Sequence, residues 1–194
     1  MIYGKRTTER NLNMEKFEEK TISTKTIFEG KVIKVQVDEV ILPDGKKATR
    51  ELVKHPGAVA IIPITSDGKI VMVEQFRKPL ERSIIEIPAG KLEPGEKPEF
   101  TAIRELEEET GYGAMDLDVI QSFATSPGFA DEVIHLFVAR NLFKIAQPAS
   151  LDEDEFVELL EVSIEEAEQL VAEQRIFDAK TILAIMWAKN NLVK

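Results

Sequence analysis

Glu105, Glu108 and Glu109 stand three and four residues apart within the run Arg104-Glu-Leu-Glu-Glu-Glu-Thr-Gly111. On an α-helix, residues at those spacings are neighbours, so the three carboxylates share a face and Glu105 lies beside both of the others. Like charges placed this way destabilise an isolated helix by about 0.2–0.5 kcal/mol per pair, a cost that a bound divalent cation turns into attraction. Oxygen donors of this kind suit a hard ion such as Mg2+. Arg104, four residues before Glu108, can orient a carboxylate through charge-assisted hydrogen bonds. An acidic run on a helix is by itself commonly a solvated face, so its meaning depends on what surrounds it.

The flanking sequence supplies elements to hold these groups. Pro98 suits a first helical position and Glu99 the positive helix end. Ala102, Ile103 and Leu106 then predict a helix that closes at Gly111, with Ile103 and Leu106 toward the core. Upstream, Ser83 to Ile87 reads as a strand ending at Pro88-Ala89-Gly90, where an irregular loop containing Pro94-Gly95 begins. The apolar run Ala58 to Ile64, broken at Ser66-Asp67-Gly68 and followed by Lys69 to Phe76, predicts a central hairpin whose first strand is buried on both faces. Val133 to Ala139 and Phe156 to Val162 read as further strands. Ser163 with Glu166 forms a capping-box pattern opening a helix with Ile164, Ala167 and Val171 inward. Asp178 caps a last helix, whose stripe Ala179, Ile182, Leu183 and Met186, with Trp187 nearby, is expected to cover the sheet. Nearer the N-terminus, Ile33, Val35 and Val37 alternate with polar residues, and a Pro43-Asp44-Gly45 turn leads into Arg50 to Lys54, an antiparallel meander from Thr21. Strands with helices on both sides of a mixed sheet make an α/β sandwich the expected architecture.

Gly90, Glu96, Arg104, Glu105, Leu106, Glu108, Glu109 and Gly111 together match the Nudix box, and on that pattern the chain resembles the Nudix hydrolase family. The last box position, normally aliphatic, is Tyr112. Arg50-Glu-Leu-Val-Lys-His-Pro-Gly-Ala-Val-Ala, Val73-Glu-Gln-Phe-Arg77 and Glu86-Ile-Pro-Ala-Gly90 are similar to the bacterial ADP-ribose pyrophosphatase subgroup, and so is Ser126-Pro127-Gly128-Phe129, with its proline sixteen positions after Gly111. The resemblance implies a Nudix-type α/β/α sandwich with a mixed sheet, plus the N-terminal strand meander. It implies hydrolysis of ADP-ribose to AMP and ribose 5-phosphate with Mg2+, or Mn2+ in its place. Other nucleoside diphosphate sugars are the alternative substrates, and a binding-only ADP-ribose sensor the alternative class. By position, Glu105, Glu109 and the Ala89 carbonyl are expected as metal ligands, with Glu108 a further ligand or hydrogen-bonding partner and Glu155 an additional ligand. Glu153 is the expected general base, with Glu108 its competitor and Arg104 orienting the carboxylates. Arg77 and Arg50 are expected at the substrate's phosphates and ribose, with Arg50 offered to the other subunit, and Gly90 and Pro127 line the substrate site. Either arginine could instead make an ordinary surface ion pair. Phe28, Phe76 and Phe129 could stack on adenine, but buried core positions are the expected reading for each, and His55 and His135 are expected to be structural.

Composition limits the partners. The chain has 194 residues, Lys+Arg 25 against Asp+Glu 35 and a net charge of −10, and no basic run exceeds short pieces such as Lys46-Lys47, so a nucleic-acid binder is not expected. An acidic protein needs cations to hold a polyanion. No apolar stretch approaches the roughly 20 residues of a bilayer span, so no membrane association is expected. The absence of cysteine fits a reducing, cytoplasmic setting. Residues 1–20 are expected as a flexible tail, 21–56 as the strand meander, swapped between subunits of a homodimer as the resemblance implies, and 57–194 as the catalytic domain.

Overall fold

The computed structural model describes residues 14–150 and 156–192. Most of the expected tail, residues 1–13, and the acidic stretch Leu151 to Glu155 lie outside the described residues. The chain divides into a unit ending at Lys54 and a unit beginning at His55. No helix among the described residues is long and apolar enough to cross a membrane.

The first unit is a three-stranded antiparallel sheet in the order β1-β2-β3, formed by β1 (Lys20–Glu29), β2 (Lys34–Ile41) and β3 (Lys47–Lys54). The β2–β3 turn falls where Pro43-Asp44-Gly45 predicts it. Gly45 takes φ +84°, a left-handed conformation that glycine adopts without strain, and its N–H donates to the Leu42 carbonyl at 2.8 Å. β1 is an edge strand with every residue exposed.

In the second unit, β4 (Ala58–Pro63) is buried along its whole length. It pairs antiparallel with β7 (Ala89–Lys91) and parallel with β9 (Val133–Lys144), and β9 carries β8 (Tyr112–Ala124) on its outer edge. A second sheet has the order β10-β5-β6, made of β10 (Val157–Val162), β5 (Ile70–Arg77) and β6 (Arg82–Glu86). Because side chains alternate along a strand, β4 serves two cores. Ala58, Ala60 and Ile62 join Met72, Ile85 and Leu136 and the helices α2 (Ile164–Ala172) and α3 (Ala179–Leu192). Val59 and Ile61 join Phe137 and Ala139 and meet Ala102 and Leu106 of α1 (Pro98–Thr110). This is the expected α/β sandwich.

Three local expectations need correction. β4 and β5 do not form a paired hairpin: they share a single bridge, Ile64 to Ile70, and then part into separate sheets. A strand has only two edges, and those of β4 are occupied by β7 and β9. Ile103 is 52% exposed, because the inward arc of α1 is taken by Thr101, Ala102, Glu105, Leu106 and Glu109. The buried stripe of α3 is Thr181, Ala184, Ile185 and Ala188, and Met186 of the expected stripe is 59% exposed. Small side chains let this helix approach closely enough for the Thr181 hydroxyl to accept a hydrogen bond from the Ile87 N–H at 3.1 Å.

The helix starts follow the sequence signals. Ser163 and Glu166 exchange the two hydrogen bonds of a capping box, at 2.7 and 3.1 Å, and Asp178 accepts from the Thr181 N–H at 3.0 Å. Two strands escaped the sequence reading. β7 is only three residues long, and in β8 the partly buried Leu117, Ile120 and Phe123 recur every third residue across a register shift between Val119 and Gln121, which erases the period-two signal. The revised stripe of α3 is checked by urea denaturation: Ile185→Ala should cost about 2–4 kcal/mol and Met186→Ala less than about 0.5 kcal/mol.

Candidate active site

α1 begins with Pro98 at its first turn and stops at Gly111, whose φ of +67° brings its N–H to the Glu107 carbonyl at 2.8 Å. Between these ends, Leu106 and Ala102 anchor the helix on β4 and β9, and this packing presses Glu105 and Glu109 against β7. Both carboxylates are nearly buried, at 8% and 6% exposure. Glu109 accepts a hydrogen bond from the Ala89 N–H at 3.1 Å. Glu105 lies over Gly90 so closely that a Cβ there would stand 1.8 Å from its carboxyl carbon. Only glycine leaves room for that carboxylate.

Arg104 gathers the remaining acids. Its Nη1 donates to Glu105 at 2.8 Å and to Glu108 at 2.9 Å, and its Nη2 to Glu96 at 3.3 Å and the Lys91 carbonyl at 3.5 Å. Its Nε is buried without a hydrogen-bond partner among the described residues. Burial works against the Arg104 charge, but Glu96, Glu105 and Glu108 outweigh it and hold its pKa above the ordinary value. Glu96 in turn sits below the usual carboxylate range: the Thr101 hydroxyl, 2.8 Å away, lowers it most, burial opposes, and Arg104 adds to the lowering.

Among the described residues, no three acidic, histidine or cysteine side chains are gathered into a ready cation site, and Arg104 bonds both Glu105 and Glu108. The donor set nevertheless fits a hard divalent ion. Two buried carboxylates lie against the Ala89-Gly90 backbone, all donors are oxygens, and the glycine cradle keeps the space beside Glu105 free of side chain.

The other expected site residues are more dispersed. Arg77, at the end of β5, donates from Nε to Glu86 at 2.5 Å. Arg50 belongs to the N-terminal unit, where it forms a two-point pair with Glu19, at 2.8 Å from Nε and 2.5 Å from Nη2. Pro127 is exposed in a turn closed by the Ala130 N–H and the Ser126 carbonyl at 2.8 Å. The segment carrying it joins β8 to β9 at the end where Ile134 and Lys91 both pair with Ala58, the same end of the sheet as Gly90. Glu153 and Glu155 lie outside the described residues. Phe28, Phe76 and Phe129 are each more than half exposed, which overturns their reading as core residues. His55 is held by local bonds, accepting from the Gly57 N–H at 3.1 Å, and the His135 ring meets the Ser122 hydroxyl at 2.8 Å. Tyr112 ties β8 to β10, donating to Glu161 at 2.5 Å beneath Lys144, whose Nζ is 3.5 Å from the ring centroid. Glu161 stabilises the neutral phenol and, with burial, pushes its pKa up to about 12.

Sequence reasoning read Asp178 only as a helix cap and gave Glu86 and Lys180 no role, missing the ion network that joins the three. Glu86 is 3% exposed and receives Lys180 Nζ at 2.5 Å, and Lys180 also reaches Asp178 at 3.0 Å. The available signal was a glutamate set among Ile84, Ile85 and Ile87, where a charge must find partners.

A strand carrying Gly90 thus faces buried helical carboxylates on a mixed-sheet sandwich, an all-oxygen donor set of the kind metal-dependent hydrolases use. Residues 54–184 match the NUDIX domain, and residues 19–53 match the nucleoside diphosphate sugar hydrolase N-terminal domain. The chain belongs to the Nudix family, whose hydrolases generally work with divalent metal ions. It is 61% identical to the methanol dehydrogenase activator of Bacillus methanolicus, over 88% of this chain and 92% of that one. It is 59% identical to the ADP-ribose pyrophosphatase of Bacillus subtilis strain 168, over 90% and 94%. A crystal structure of an ADP compounds hydrolase shares the fold, with a TM-score of 0.79 at 20% identity over 90% of this chain and 94% of that one.

The Gly90 contact is open to direct test. Gly90→Ala should displace Glu105 and weaken Mn2+ binding about 10- to 100-fold in a calorimetric titration, with an unchanged far-UV spectrum. Undiminished binding would remove the Glu105–Gly90 pair from the cation site.

Proposed function

We propose that this protein hydrolyses the diphosphate of ADP-ribose to AMP and ribose 5-phosphate, using Mg2+, with Mn2+ able to replace it. The observation that carries the reading is the burial of Glu105 and Glu109 against the Ala89-Gly90 backbone, in a space that a side chain at Gly90 would close. The Bacillus subtilis relative supports the substrate. Other nucleoside diphosphate sugars remain the second reading, favoured by the family to which the N-terminal segment belongs.

Bound divalent ions would neutralise the diphosphate and lower the pKa of a coordinated water. The carboxylates of Glu105 and Glu109 and the carbonyl of Ala89 would hold them, with Glu108 and Glu155 as further ligands. Arg104 keeps Glu105 and Glu108 oriented through its Nη1. Water adds to one phosphorus, the bridging oxygen departs with the other phosphate, and Glu153 takes up the proton, with Glu108 the competing base. Arg77 donates to a phosphate oxygen from the amino groups that Glu86 leaves free. β10 supports a role for the acidic stretch, because Val157 pairs with Gln75, two residues from Arg77. In a reducing, cytoplasmic setting the protein acts as a homodimer joined through its N-terminal strands, as the exposed edge strand β1 with its apolar Ile22, Ile27 and Phe28 supports. In that dimer Arg50 contributes to the partner's substrate site.

The decisive experiment is a panel of ADP-ribose, NADH, ADP-glucose and GDP-mannose at fixed Mg2+, compared by kcat/KM. ADP-ribose should lead and chelator should abolish turnover; preference for another member would move the assignment to that substrate. Glu153→Gln should lower kcat about 10²- to 10⁴-fold. Full turnover in that variant would pass the base's role to Glu108. Arg77→Ala should raise KM for ADP-ribose several-fold with the melting temperature retained, and an unchanged KM would remove Arg77 from the substrate.

A further inference from the structure

Glu86 closes β6 three residues before Ala89, so its Cα lies within about 11 Å of that backbone. It is the most deeply buried acid among the described residues, and its two oxygens are divided between two cations. Oε2 receives Arg77 Nε and Oε1 receives Lys180 Nζ, each at 2.5 Å. Lys180 is held from its other side by Asp178, which caps α3, and the next residue, Thr181, accepts the Ile87 N–H. The chain from Glu86 into Ala89-Gly90 is thus fastened to the start of α3 at consecutive residues.

Arg77 is half-exposed, and only its Nε is engaged among the described residues. Binding a guanidinium by Nε fixes its plane while leaving Nη1 and Nη2 as a fork for an oxyanion. Arg77 and Glu86 alone balance in charge, and Lys180 leaves the cluster one cation over. Asp178 restores the count: two carboxylates against two cations.

We propose that Glu86 and Lys180 are positioning residues for the phosphate-binding fork of Arg77, and that α3 sets the aim of that fork through Asp178 and Lys180. The inference rests on the diphosphate-hydrolase reading above. It assigns no contact between Glu86 and substrate. Glu86 acts through Arg77, so its effect requires Arg77 to be present.

A double-mutant cycle of Glu86→Gln with Arg77→Ala tests this, read as KM and kcat on the panel member that the wild type turns over best. Glu86→Gln keeps the side-chain size but removes the charge that both cations share. Alone it should raise KM about five- to ten-fold with kcat changed less than about two-fold, and in the Arg77→Ala background it should add less than about two-fold. A full increase in KM in both backgrounds, or none in either, would overturn the proposal. Should Glu86→Gln fail to fold, Lys180→Gln carries the same cycle, with an expected rise in KM of about two- to three-fold that also vanishes without Arg77. A wild type inactive on the whole panel overturns the functional reading and this inference with it. An active wild type with additive variants overturns the inference alone.

Discussion

The structure turns on the packing of Glu105 and Glu109 against the backbone of Ala89 and Gly90. Bringing two carboxylates out of water is unfavourable unless each finds compensation. Here the Ala89 N–H compensates Glu109 and the Arg104 guanidinium Glu105, while the absence of a Cβ at Gly90 leaves the space. The apolar side of α1 supplies the force. Leu106 and Ala102 are buried on β4 and β9, and the helix cannot satisfy them without carrying its neighbouring glutamates inward. Gly111 then ends the helix directly after Thr110, so the acidic turn stays at the C-terminal end of a short rigid rod. Cations are unfavourably replaced by anions at that end of a helix dipole, which strengthens the demand for positive charge there.

β4 determines where this rod can sit. Its two faces feed separate cores and its two edges are taken by β7 and β9, so it is the one strand around which the rest must be arranged. The displaced β5 builds its own sheet with β6 and β10. That division gives the protein two approaches to one stretch of chain: β7 carries Gly90 in the first sheet, and β6, in the second, ends at Glu86 just upstream. Ile61 donates to the Pro88 carbonyl between them, joining the connecting residues to β4.

Much of this was legible in the sequence because it rests on local patterns. Pro98 and Gly111 bound a helix, Ser163 and Glu166 cap another, and the unbroken apolar run of β4 announces burial on both faces. The box spacing placed Glu105 beside Glu108 and Glu109, and Gly90 within the pattern. What escaped depends on partners distant in sequence. The pairing of β5 with β10 rather than β4 is decided by edge occupancy. The face of α3 is decided by how closely Thr181, Ala184 and Ala188 let it approach, and an apolar count favours larger residues such as Met186. The exposure of Phe28, Phe76 and Phe129 likewise runs against their composition. The ion network of Glu86 joins positions 94 residues apart, beyond any local spacing rule.

Arg104 and Arg77 show how the same side chain can be given different work by its surroundings. Arg104 spends both amino groups on three carboxylates and a carbonyl, in a setting that raises its pKa, so it acts as an internal counter-ion. Any anion it bound would have to displace glutamates that it holds in place, at the cost of unpaired buried charge. Arg77 spends only Nε, on a carboxylate whose other oxygen is balanced by a lysine, and keeps its fork available. On the proposed reading the acidic protein handles an anion without a broad basic surface: one guanidinium organises the carboxylates, and a second, held from behind by Glu86, has its amino groups left for a phosphate.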